Sequence, residues 1–193
     1  METDQELVAL LLQGDQQAFA ELVERYQRAV FNLSYRMLGE AREAEDAAQE
    51  SFLRAYQHID RYDASRPFKT WLLSIASNYC IDKLRKRRLT WLSIDEPLPP
   101  HPELNSKAPT PEEAVTGGER NAAVHALLNQ LPADYRAAVV LRYWYDMSYA
   151  EIAEMLDTTE SAIKSRLFRA RQSLAEEARA GHVPGMAIAM EGA

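Results

Sequence analysis

Cysteine occurs once in this chain of 193 residues, glycine only seven times, and no apolar run approaches the ~18 residues a membrane-spanning helix needs. Cys80 alone can close no internal disulfide, which suits a reducing compartment. The opening "METDQELVALLLQGD" carries acids where a secretory leader needs bases, so the expectation is a cytoplasmic protein with no membrane insertion. Scarce glycine, with runs rich in Ala, Leu, Glu, Gln and Arg, favours helix over strand, and no stretch alternates as a half-buried strand would. His58, His101, His125 and His182 lie too far apart to form a compact ligand motif. Neither a glycine-rich phosphate loop nor a nucleophile motif occurs. No catalytic residue, metal or cofactor is therefore expected, and the chain does not read as an enzyme.

What is present is an ordinary globular composition, 47% hydrophobic and 26% charged, on a chain long enough to bury a real core. The net charge is −7, but it is unevenly placed. Residues 1–89 carry −1, residues 90–118 carry −4 and residues 119–193 carry −2. Within the near-neutral outer parts lie two basic clusters, "KLRKRR" at 83–88 and "KSRLFRAR" at 164–171. Local clustering says more about partners than the acidic total does.

Six of the nine prolines fall in "PLPPHPELNSKAPTP", residues 97–111. Proline fixes φ and removes a donor, so this stretch cannot be a helix interior. It reads as an acidic, flexible linker (91–117) between two helical blocks, because a structureless loop of this length is uncommon inside one domain. The first block punctuates into helices at about 4–13, 16–38, 41–57 and 67–88, with Asp15 as an N-cap and Gly14 and Gly39 as stops. The second predicts helices at about 119–129, 133–145, 149–156 and 160–177. The chain is expected to be all-α, two small helical domains at 1–90 and 118–177, with a flexible tail at 178–193.

On the last helix, at ~100° per residue, Ile163, Leu167, Ala170 and Leu174 form one apolar stripe. Ser161, Ser165, Phe168, Arg169 and Gln172 lie opposite it, with Lys164, Arg166 and Arg171 on the flanks. Before it, Ser148 and Glu151 fit a capping box and Asp157-Thr158-Thr159 make a short turn. Helix, tight turn, then a helix with a polar-basic outer face is a helix-turn-helix whose second member suits the DNA major groove. Bases on a helix face are commonly just solvated, but Phe168 is a large aromatic set among them, pointing away from the docking stripe.

On the third helix Ala44, Ala48, Ser51 and Ala55 share a face that lets a neighbouring helix approach closely. The other face carries Arg42, Asp46, Gln49, Glu50, Leu53 and Gln57; Leu53, amid polar groups, suggests a partner surface with an apolar centre. Glu43 and Glu45 read as compensation of the helix dipole. The fourth helix has a core stripe of Leu73, Ala76, Cys80 and Leu84, which makes Cys80 a small buried hydrophobe. Trp71, Ile75, Asn78, Asp82 and Arg85 face the other way. Either the helix is buried on two sides, or an aromatic, an amide and nearby cations stand ready to receive an unstacked base. Lys83, Arg85, Lys86, Arg87 and Arg88 exceed what the dipole of one helix end calls for and suit phosphate contact.

Taken together, "DQQAFAELVERYQRAVFNLSYRML", "EAEDAAQESFLRAYQHIDRY", "PFKTWLLSIASNYCIDKLRKRR" and "LPADYRAAVVLRYWYDMSYAEIAEMLDTTESAIKSRLFRARQSL" resemble regions two and four of bacterial sigma factors of the sigma-70 family. A linker in place of region three resembles the small extracytoplasmic-function type. The resemblance implies a dissociable subunit that binds core RNA polymerase and directs promoter recognition and DNA opening. It implies core binding through Asp46, Gln49, Glu50 and Leu53, with Phe52 in support. It implies that Asn78 and the loop "YDASRPFK" (62–69), with Lys69 and Trp71, hold a flipped base of the downstream promoter element. The last helix would read the upstream element, and a cognate anti-sigma factor would be a further partner. The rival reading is a freestanding helix-turn-helix regulator with a helical sensor domain in residues 1–90.

Overall fold

The boundaries of the helices follow from local backbone chemistry. In the computed structural model, which describes residues 2–92 and 118–179, α1 spans Asp4–Leu12. Its first turn is closed by a reciprocal capping box between Thr3 and Glu6. It ends at Gly14, whose φ of +99° only a residue without Cβ adopts freely; there Gly14 N–H donates to Leu11 and Asp15 N–H to Leu10. Helix α2 (Gln16–Leu38) starts where the Asp15 carboxylate accepts from Gln17 N–H, and stops at left-handed Gly39. Helix α3 (Ala41–Gln57) is capped by Glu40, whose carboxylate accepts from the N–H groups of Arg42 and Glu43. A single 3-10 turn, Ile59–Arg61, which the sequence reading does not anticipate, leads through a short loop to α4 (Phe68–Leu92).

The carboxy-terminal elements are α5 (Gly118–Gln130), α6 (Ala133–Trp144), α7 (Tyr149–Met155) and α8 (Glu160–Arg179). Every helix expected from the sequence is present within a few residues of its expected ends, and the described residues contain no strand. The fold is all-α, two small helical domains. None of the described helices is long and apolar enough to cross a membrane. Most of the linker and nearly all of the tail expected from the sequence lie outside the described residues.

The first domain packs α2, α3 and α4 around Leu22, Val30, Leu33, Met37, Phe68, Leu72 and Leu73, with α1 laid across α2 through Leu7 and Leu11. Ala44, Ala48, Ser51 and Ala55 are buried, as their spacing predicts, and this small-residue face brings α3 close to its neighbours. Cys80 is fully buried, and desolvation pushes its thiol up to about 11, far from reactive thiolate. In the second domain Ile163, Leu167 and Ala170 of α8 dock on α6 and α7 against Leu141 and Ile152.

The two domains are in contact. Helix α6 lies on α2 and α4, and α7 lies on α4, so that one cluster of buried side chains runs through both. The Arg136 guanidinium of α6 is buried in that seam. It donates to the carbonyls of Met37 and Asn129, to the Asn129 side chain, and more weakly to Leu131. Burial lowers its pKa to about 10, which leaves it fully charged near neutrality.

Candidate functional site

Three surfaces carry the residues singled out above, and the first is the outer face of α8. Helix α7 opens on a reciprocal Ser148–Glu151 capping box, and the hydrogen bonds from Ser148 hold the Glu151 carboxyl below the usual carboxylate range. It closes on Asp157, whose φ of +48° is the left-handed conformation; Asp157 N–H donates to Glu154 and Thr158 N–H to Ala153. Two residues later the Thr159 hydroxyl accepts from Ala162 N–H and starts α8. This turn sets α8 across the domain with its apolar stripe inward. Ser161, Lys164, Ser165, Phe168, Arg169 and Gln172 are exposed, Phe168 at 55% of its surface, while Arg166 and Arg171 are half-buried at the flanks. An exposed phenyl ring ringed by cations fits the edges and phosphates of a duplex better than it fits solvent.

The second surface is α4 with the loop before it. An aromatic cluster of Tyr26, Tyr62, Phe68 and Trp71 forms its floor, with neighbouring ring centroids 5.3–5.8 Å apart. The loop is shaped by Asp63, which accepts from Ser65 N–H, and by Tyr62, whose hydroxyl donates to the Arg66 carbonyl. Beside Trp71 is a slot of about 60 Å³ lined by Arg66, Thr70 and Ser74. Its far wall is Glu154 and Met155 of α7, and Arg66 pairs with Glu154 across it. Asn78 is likewise engaged by α7, donating its amide to the Met155 carbonyl at 3.0 Å.

The basic run at the end of α4 is partly neutralised. Arg87 pairs with Glu43 of α3, and Lys83 lies 3.9 Å from the same carboxylate. Glu43 therefore ties α3 to α4, a role that the dipole reading of this residue misses. Arg85 pairs with Asp134 of α6 at 2.8 Å. Arg88 and Lys86 are exposed. Lys69 is exposed and stands 5.9 Å over the ring of Tyr145.

The third surface is the outer face of α3. Asp46 and Gln49 are exposed, Glu50 is half-buried and Leu53 is 51% exposed, while Phe52 turns inward and is only 8% exposed. Phe52 thus supports the face from beneath, edge-on to Phe19. Tyr56, one turn beyond Leu53, is 41% exposed and extends the apolar centre; its i+3 spacing from Leu53 was the available signal. Glu50 is held by Arg54 at 2.7 Å, and Arg54 in turn lies over the ring of Tyr79.

Among the described residues no group of three or more His, Cys, Asp or Glu side chains could hold a metal ion. Comparison with known proteins is consistent with this geometry. Residues 22–90 match the family model for Sigma-70 region 2, and residues 121–174 match the one for Sigma-70 region 4. The chain is 38% identical to the ECF RNA polymerase sigma factor SigW of Bacillus subtilis, over 86% of this chain and 91% of that one. Among solved structures it is similar to CnrH, in complex with the cytosolic domain of CnrY, with a TM-score of 0.67, 27% identity, and coverage of 93% and 99%. It is also similar to the sigma factor RpoE of Bartonella quintana, in complex with the anti-sigma factor NepR, with a TM-score of 0.61, 25% identity, and coverage of 83% and 96%.

Proposed function

Since the chain belongs to the extracytoplasmic-function sigma factors of the sigma-70 family, the dissociable subunits that direct bacterial RNA polymerase to promoters, we propose how its three surfaces divide that function. The outer face of α8 reads the upstream promoter element through Lys164, Arg166, Phe168, Arg169, Arg171 and Gln172, with Ser161 and Ser165 beside them. Helix α4 and the loop before it open the downstream element. Asn78, Lys69 and the Trp71 slot receive an unstacked base, and Lys83, Arg85, Lys86, Arg87 and Arg88 follow the phosphates. The outer face of α3, centred on Leu53 and bordered by Asp46, Gln49 and Glu50, grips core polymerase.

The observation that carries this reading is Phe168, an exposed aromatic among cations on the outward face of a tightly capped helix-turn-helix. Polymerase performs the nucleotide chemistry; this chain supplies recognition and strand opening, acts in the cytoplasm and is not itself an enzyme. It is divided at 1–90, 91–117 and 118–177, with a tail at 178–193, so that the two reading surfaces can separate on a promoter. The anti-sigma complex of the Bartonella relative supports a cognate anti-sigma factor as a further partner. A freestanding regulator is not favoured, because it leaves the match to Sigma-70 region 2 without a role.

In vitro transcription by core polymerase, with and without the chain, is the test. Promoter-specific transcripts that require the chain are expected. Site-specific duplex binding without polymerase, and no chain-dependent transcript, would restore the regulator.

A further inference from the structure

On α2, Arg25, Arg28, Asn32 and Arg36 follow one another at helical spacing, so one face of the helix carries three guanidinium groups. Arg25 is neutralised twice, by Asp4 at 2.5 Å and Glu21 at 2.7 Å. Arg28, Arg36 and Lys69, which converge on the same concavity, have no carboxylate partner among the described residues, although the chain carries seven more acids than bases. Like charges brought together repel; water and salt screen the exposed Arg28 and Lys69, and an anion seated among the three cations lowers the cost further.

The concavity lies on the seam between the domains. Its cations come from the first domain, while its aromatic wall comes from the end of α6, as Trp144 and Tyr145. Arg36 lies 5.2 Å from the Trp144 ring centroid and Lys69 lies 5.9 Å from that of Tyr145, so both cation–π contacts cross the seam. The Tyr145 hydroxyl donates to the Ala29 carbonyl at 2.6 Å and fixes that wall. Trp144 remains 39% exposed, so part of its indole is open to solvent beside the Arg36 guanidinium. The cavity measures about 370 Å³, within the ~300–1,000 Å³ typical of small-molecule sites.

We propose that this seam cavity binds a small phosphorylated molecule that carries a planar ring, of nucleoside diphosphate size. Arg28, Arg36 and Lys69 take the phosphates, and Trp144 stacks on the ring. A nucleic acid strand is the less suited occupant, because the second domain walls the cavity and would have to leave before a strand could pass. The ligand needs residues of both domains, so it binds the closed form and opposes its opening, with a stabilisation that rises logarithmically with ligand concentration.

Calorimetric titration of the full chain tests the site with ADP, pyrophosphate, adenosine and a thymidine oligonucleotide as probes. The mixture contains neither polymerase nor promoter, so the result is independent of the function proposed above. ADP is expected to bind saturably at one site, pyrophosphate more weakly, and adenosine not at all. Replacing both Arg36→Gln and Lys69→Gln should weaken ADP and pyrophosphate at least about tenfold, whereas Arg36→Lys with Lys69→Arg should retain most of the affinity. Trp144→Ala should weaken ADP roughly tenfold while changing pyrophosphate less than about twofold, a split that a merely structural role would not give. Circular dichroism confirms that each variant is folded. Absence of saturable ADP binding, affinity unmoved by the charge-removing pair, equal losses for ADP and pyrophosphate in Trp144→Ala, or binding of the oligonucleotide alone through these residues would each overturn the proposal.

Discussion

The Asn78 amide donates to the backbone carbonyl of Met155 at 3.0 Å, joining the middle of α4 to the last residue of α7. In the same seam Arg66 pairs with Glu154 and Arg85 with Asp134. Each first-domain member of these three contacts lies on, or just before, the helix proposed to receive melted DNA. On the assignment proposed above, the closed arrangement and an engaged promoter would compete for the same side chains, and exposed ion pairs of ~0–1 kcal/mol each are weak enough to exchange.

Asn78 and Arg169 should accordingly fail at different steps. Asn78→Ala removes the amide proposed to hold an unstacked base, so holoenzyme carrying it should still protect the upstream element but give less permanganate-reactive DNA. A template already mismatched over the melted segment should restore part of its activity. Arg169 is exposed on α8 and reaches the Tyr135 hydroxyl at 3.4 Å. Arg169→Ala should weaken upstream docking, by roughly 1–3 kcal/mol if a base contact is lost, and a mismatched template should rescue it far less. Equal rescue of the two variants would refute the division.

Leu53→Ala and Glu50→Lys should each weaken binding to core polymerase. Truncating a central apolar anchor commonly costs more than ~1 kcal/mol. Glu50→Lys also replaces the partner of Arg54 with a like charge, so its melting temperature needs to be followed beside its affinity. A pull-down with core polymerase and a circular dichroism melt separate the two effects. Unchanged core affinity in both variants would remove this face from the interface.

His125 of α5 packs edge-on against Tyr35 of α2, with ring centroids 4.4 Å apart. Desolvation first, then the nearby charges of Arg36 and Arg136, hold its imidazole below its ordinary value of 6.5. In the folded state the ring therefore resists protonation, whereas in the unfolded chain it takes a proton as pH falls through 6.5. Its contribution to stability should be intact above that value, decline as pH falls below it, and level off beneath the folded pKa. Thermal melts of wild type and His125→Gln between pH 5 and 8 should diverge in slope over that window. Parallel curves would show that His125 does not set it.

Asp157 makes the turn of the helix-turn-helix in a left-handed conformation that β-branched residues enter only with strain. Asp157→Val should cost about 1–3 kcal/mol of stability and reduce upstream-element binding with it. Asp157→Gly should melt close to wild type, because glycine reaches the same backbone without strain. If valine were tolerated as well as glycine, the left-handed turn would not be the constraint.

The helices, their main stops and the buried faces of α3, α4 and α8 were legible in the sequence because they rest on local chemistry. The Ser148 box, the Asp15 cap, Gly14 and Gly39, and the i, i+4, i+7 spacing of Ile163, Leu167 and Ala170 act within one or two turns of chain. The exposure of Leu53 and Phe168 follows from the same periodicity, since a residue opposite a docked stripe has nowhere else to point. The 3-10 turn at Ile59–Arg61 and the left-handed Asp157 were not read, because aspartate enters such turns without the unambiguous mark that glycine leaves. Only the tertiary structure could decide who meets whom. Glu43 reads as a dipole acid until Arg87 arrives from a helix 44 positions later. Nothing in the sequence around Arg136 marks it for burial, and only docking encloses it between the carbonyls of Met37 and Asn129. The resemblance gives Asn78 to a flipped base, and only the docking of α7 shows a backbone carbonyl already taking its amide. Periodicity fixes which face of a helix is buried, but a long-range partner is set by how two domains dock, and no spacing within either helix encodes that distance.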